Sequence, residues 1–141
     1  MTPKVKESII KIIKSCESAQ FCTHGSNEYP ETRFIANYIN QDRDDFPLYF
    51  ITHHSSHKIE QITKNQNICL YYFNPNTRMA ITLFGIAKEK TDKDSKDKFW
   101  RDDWKNYGFK EKTEKEYVII EFVPKVYKFY INGNEEQTGT I

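Results

Sequence analysis

The sequence predicts a mainly β protein, a closed or nearly closed antiparallel barrel with a few peripheral helices. Three observations carry that expectation. Aromatic residues make up 15% of the chain, with nine Tyr and ten Phe, which suits large cross-strand pairs better than a helical bundle. β-Branched and aromatic runs succeed one another with Gly, Pro and Asn turns between them, as hairpins do. Helical apolar spacing is confined to a few short segments, and closing the sheet removes the edges it would otherwise expose.

At 141 residues the chain is long enough to bury one core and too short for two. Residues 1–131 are read as that single domain and 132–141 as a polar tail expected to fray. The formal net charge is +1 and the charges are mixed along the chain, which argues against a nucleic-acid or anionic-membrane binder. No apolar run approaches the length of a membrane span and the N-terminus lacks the apolar core of a signal peptide, so a soluble, cytoplasmic protein is expected. Cys16, Cys22 and Cys69 lie far apart with no C-x-x-C pair, and reduced thiols are expected.

Thr2 and Pro3 read as N-cap and first residue of a helix whose apolar face is Val5, Ile9, Ile12, Ile13 and Cys16. Strands are expected over 19–23 and 33–40, joined by the polar turn His24 to Pro30, and Gln41 to Asp45 forms the next turn. Strands over 68–73 and 79–88 flank the Asn74–Thr77 turn, and the lone Gly85 inside the second marks a bulge or a close backbone approach. Residues 92–104 are charged but carry Phe99, Trp100 and Trp104, which reads as a helix with an aromatic edge. After a loop, two strands over 117–123 and 126–131 are expected to hinge at Pro124.

The stretch from Leu48 to Lys58 organises the rest. Tyr49 to Thr52 is strand-like, and Ser55 and Ser56 then cap a helix carrying Ile59 and Ile62. A helix starting there aims unpaired N–H groups and its positive dipole end at the strand's exit, and Lys58 adds a full charge. Phosphate is the natural guest; an ordinary strand–turn–helix junction is the plainer alternative. His53, His54 and His57 invite a metal, but the strand-to-helix switch separates them and no spacing supplies the remaining ligands. A nucleophilic cysteine lacks a base that the sequence can place beside it. Trp100 and Trp104 are either a stacking platform near the ligand or ordinary packing.

Several motifs together resemble the FMN-binding split-barrel proteins related to pyridoxamine 5′-phosphate oxidase, in particular the general stress protein subgroup. They are Tyr29-Pro30-Glu31-Thr32-Arg33, Leu48 to Thr52 followed by Ser56-His57-Lys58, Asn67-Ile68, Leu83-Phe84-Gly85 and Phe99-Trp100 to Trp104. The resemblance implies a homodimer of six-stranded antiparallel split barrels with FMN in grooves at the subunit interface. It implies Arg33 and Lys58 as phosphate ligands and Thr52 and Ser56 as hydroxyl donors. The backbone of Phe34, Ile35 and onward to Asn37 would line the flavin, with Ile51, His57, Trp100 and Trp104 completing the cofactor site.

The departures shape the expected activity. His57 stands where the oxidase has an arginine, giving a weaker, pH-responsive anion contact. Ala80 falls where many relatives have a glutamine, Tyr38 replaces the oxidase's substrate-phosphate lysine, and no Arg-x-His segment follows Ile131. The expectation is therefore an FMN-dependent oxidoreductase-like protein that does not oxidise pyridoxamine phosphate, with NAD(P)H or another small reductant as donor. The alternative is a non-catalytic carrier of flavin, or of haem through one of the histidines.

Overall fold

The computed structural model describes residues 1–131 and 133–141. Thr2 caps helix α1 (Pro3–Ser15), its hydroxyl accepting from the Val5 N–H, and Ile9, Ile10, Ile12 and Ile13 are buried from it. The strands are β1 (Ser18–His24), β2 (Pro30–Ala36), β3 (Leu48–His53), β4 (Asn67–Asn74), β5 (Met79–Lys90), β6 (Tyr117–Ile131) and β7 (Asn134–Thr140). Every pairing is antiparallel, in the order β2-β1-β4-β5-β6-β3, with β7 added to β6. The sheet curls until its two ends, β2 and β3, approach one another.

Side chains alternate across the strands. Phe21, Phe50, Leu70, Ile81, Leu83, Ile120 and Phe122 fill the interior with the apolar face of α1, and Phe21 meets Phe50 edge-on at 6.4 Å. A second cluster forms on the other face of β3 and β6, from Ile39, Ile51, Phe99, Trp104, Phe109, Tyr117 and Ile119.

Gly85 is both things the sequence suggested. The β5–β6 register shifts between Phe84 and Gly85, and a Cβ there would run into the Val123 carbonyl oxygen and come within 2.8 Å of Pro124 Cα.

Four elements differ from the sequence expectation. The strand expected to reach Asn40 ends at Ala36, and α2 (Tyr38–Gln41) follows. The cause is Asn37, fully buried, whose Nδ2 donates to the Ile13 and Cys16 carbonyls at 2.8 Å while its Oδ1 accepts from Tyr72 and Asn40. The helix expected over 92–104 stops early. It becomes α4 (Lys93–Phe99), capped by Asp92, and then a 3₁₀ turn over Asp102–Tyr107. Pro124 does not split the last strand, because Gly85 pairs with it and the bulge leaves the ladder continuous from Tyr117 to Ile131. The stretch expected to fray is strand β7, held along one edge by antiparallel pairing with β6; Asn132, the first residue of that tail, lies outside the described residues.

Candidate functional site

Helix α3 (His57–Lys64) packs against β1 and β5, and its side chains reach Thr52 of β3 through Lys58 and Arg33 of β2 through Gln61. Ser56 is the helix's N-cap, with extended backbone but no side-chain capping bond; the Ile59 N–H bonds the Ser56 carbonyl, which leaves the His57 and Lys58 N–H groups at the helix start for a ligand. Ser56 Oγ lies 3.4 Å from Thr52 Oγ1, and Lys58 Nζ donates to the same Thr52 oxygen at 2.7 Å. Ser55 instead bonds the Glu116 carboxylate.

Arg33 reaches this cluster from β2. Its guanidinium donates to Thr23 Oγ1 at 2.8 Å, to Gln61 Oε1 at 2.9 Å and to the Phe21 carbonyl at 3.3 Å. Glu31 lies 3.4 Å from it, a long ion pair, and also accepts from Gln61 Nε2. Lys58 has no such partner: among the described residues no carboxylate forms an ion pair with it. Burial, and then the positive charge of Arg33, hold its pKa below the ordinary lysine value. Two like charges are therefore held together in a partly desolvated cleft with hydroxyls and a helix N-terminus. Cations, hydroxyls and a helix start are the donor types that can hold a multiply charged oxyanion such as a phosphate monoester, with the Glu31 carboxylate offsetting part of the Arg33 charge.

The structure gathers Arg33, Thr52, Ser56 and Lys58 in one place. It adds Thr23, Glu31 and Gln61, which the sequence reading missed. The available signals were the two-residue spacing of Glu31 and Arg33, which puts both on one face of β2, and the three-residue spacing of Lys58 and Gln61 on α3. His57 opens α3 beside a small cleft shared with His24, Glu60 and Gln61.

Other candidates sit elsewhere on this chain. Ile35 is buried in the barrel interior, whereas Phe34, its neighbour on the opposite face, is 73% exposed. Asn37 spends its side chain inside the fold, its N–H on Glu17 and its carbonyl on the α2 amides. Ile51 and Thr52 point to opposite faces of β3, so Ile51 lies with Trp104 in the second cluster. Trp104 is 2% exposed with its indole N–H on the Phe99 carbonyl; Trp100 edges onto Tyr117 at 5.1 Å and donates to Asp102. Tyr38 packs toward Tyr107 rather than toward Lys58.

The histidines are separately engaged. His53 stacks on Phe109 and bonds the Tyr107 carbonyl, while His54 bonds Glu89. Among the described residues no group of three His, Cys, Asp or Glu is placed to hold a metal ion, and no helix is long and apolar enough to cross a membrane.

The fold and cleft together define a split-barrel protein with a cleft lined by Arg33, Lys58 and hydroxyl groups where β3 leads into α3. The family model described as pyridoxamine 5′-phosphate oxidase matches residues 5–130, and the chain belongs to that family. No curated protein matches it in sequence. Among solved structures, one is a Clostridium acetobutylicum protein related to general stress protein 26 of B. subtilis, of the pyridoxinephosphate oxidase family. It is 21% identical with a TM-score of 0.83, over 100% of this chain and 97% of that one. A pyridoxamine 5′-phosphate oxidase-related, FMN binding protein from Nostoc punctiforme is 16% identical with a TM-score of 0.69, over 100% and 97%. A heme binding protein from Mycobacterium smegmatis is 10% identical with a TM-score of 0.69, over 100% of this chain and 59% of that one.

Proposed function

We propose that this protein binds FMN as a homodimer and serves flavin-dependent electron transfer in the cytoplasm, without acting as a pyridoxamine phosphate oxidase. The observation that carries the reading is the half-buried Lys58 beside Arg33, with no carboxylate partner for Lys58 among the described residues. A cation in that position raises the energy of the ligand-free protein and is relieved by an anion. FMN's phosphate fits this donor set, and the N–H groups at the start of α3 add to it. The Nostoc relative described as FMN binding supports the same choice. A heme binding relative keeps the carrier alternative in view, but His53 and His54 are tied to Tyr107 and Glu89, which favours flavin.

Arg33 and Lys58 hold the phosphate, Thr52 and Ser56 donate hydroxyl bonds to it, and Gln61 keeps Arg33 oriented through its amide oxygen. When bound, FMN supplies hydride and electron transfer, with NAD(P)H or another small reductant as donor. The protein's part is to fix the phosphate so that the ring is held in one place. The dimer is favoured by the aromatic face of β2 and β4, where Phe34, Tyr71 and Phe73 are exposed.

The test is a pair of equilibrium titrations of the ligand-free protein, with FMN and with riboflavin. FMN should bind at least about tenfold more tightly, the worth of one charge-assisted phosphate contact. Equal affinities would remove the phosphate cleft from the account.

A further inference from the structure

Cys22 and Cys69, distant in sequence, face each other directly across the β1–β4 pair. Both are partly exposed and alternate with the buried Phe21, Thr23, Ile68 and Leu70, so both thiols emerge on the outer face of the sheet. Directly opposed antiparallel residues hold their Cα atoms about 4.5–5.5 Å apart, within the range of about 4.4–6.8 Å that a disulfide spans. The thiols already sense each other: burial, and then the charge and hydrogen bonding of Cys22, push the Cys69 pKa up to about 11. Cys22 Sγ itself lies 3.2 Å from Thr32 Oγ1 as donor. Both line a groove of about 450 Å³ bounded by Phe84, Ile86 and Lys125. This groove runs toward the His24–Asn67 end of the face, away from Phe34, Tyr71 and Phe73. Cys16 is buried behind α1 with its thiol on the Phe73 carbonyl.

We propose that Cys22 and Cys69 form a reversible redox site, a dithiol that a hydroperoxide converts into a cross-strand disulfide tying β1 to β4. Cys22, whose thiol reaches Thr32 Oγ1 at the β1–β2 side of the pair, is the attacking group, as its thiolate. Its thiolate sulfur bonds the terminal peroxide oxygen, the O–O bond breaks and the alkoxide leaves as the alcohol, giving a sulfenic acid at Cys22. The Cys69 sulfur then attacks that sulfur. The S–S bond forms, the S–O bond breaks, and the hydroxide leaves as water with the Cys69 proton. Two thiols have given up two electrons and one hydroperoxide has taken them; a dithiol reductant reverses the change by exchange.

The site does not depend on whether flavin binds, and its test reads thiols alone. The folded protein is treated with hydrogen peroxide, its free thiols are counted, and its peptides are mapped without reduction. The count should fall from three to one, with a bridge mapped between Cys22 and Cys69, restored by dithiothreitol. Cys16→Ser should still form the bridge, and Cys22→Ser and Cys69→Ser should each abolish it while keeping the wild-type circular dichroism. The proposal is overturned if all three thiols survive, if the bridge involves Cys16 or joins two chains, or if Cys22 and Cys69 oxidise singly without bridging.

Discussion

Replacing Lys58 with methionine keeps the length of the side chain and removes its charge, and this separates a ligand-binding lysine from a structural one. In the free protein Lys58 Nζ has one observed bond, to Thr52 Oγ1, and its charge is disfavoured by burial and by Arg33. Removing that charge relieves repulsion, so the Tm of ligand-free Lys58→Met should equal or exceed that of wild type. FMN loses a charge-assisted bond worth about 1.5–3 kcal/mol, so its Kd should rise roughly ten- to a hundredfold. Riboflavin, lacking the phosphate, should bind both proteins alike. The assay is calorimetric titration of each ligand beside thermal unfolding of each free protein. A variant that unfolds earlier yet binds FMN as tightly as wild type would refute the reasoning and make Lys58 a structural residue.

FMN affinity should fall with rising pH through a window that opens below 10.5, because the free protein releases the Lys58 proton earlier than an ordinary lysine while bound phosphate retains it. Across the same window this group should make the free protein more stable as pH rises, since the unfolded chain holds its proton longer; a Lys58→Arg variant whose affinity shows the same pH dependence would discount this. Asn37→Ala strips partners from Tyr72 and from two buried carbonyls and should cost about 3–5 kcal/mol in urea unfolding, against which a loss under about 1 kcal/mol would count. Gly85→Ala, whose Cβ meets the Val123 carbonyl, should cost about 1–3 kcal/mol, and an unchanged midpoint would show that the bulge relaxes freely. Sedimentation at micromolar concentration should give twice the chain mass, and a monomer with full FMN affinity would exclude a shared site.

Much of the fold was legible because local signals and burial agree. Thr2-Pro3 and the isoleucine spacing give α1, and Gly85 announces the bulge through the one side chain that fits it. The misreadings fall where tertiary contacts override local pattern. Asn37 looks like a strand residue until its four side-chain bonds are seen, and Pro124 looks like a break until Gly85 pairs with it. Of the candidate site, Arg33, Thr52, Ser56 and Lys58 could be named from motif and helix-start chemistry. Glu31 and Gln61 had only their spacing from Arg33 and Lys58 to mark them, and Thr23 had no signal, because only the β1–β2 register brings it to the guanidinium. The two tryptophans were ambiguous for a physical reason: an indole edge on a short helix serves a ligand or a core equally well, and Trp104 packs in the second cluster.

The most direct measurement of the central claim is co-elution. Ligand-free protein is mixed with excess FMN, passed through a desalting column, and its visible spectrum recorded against the chain concentration. Flavin absorption should travel with the protein, with as many FMN molecules as chains, and should be lost in the Arg33→Ala, Lys58→Met double variant. A colourless protein peak, or a Soret band from haem carried through purification with no uptake of FMN, would contradict the account.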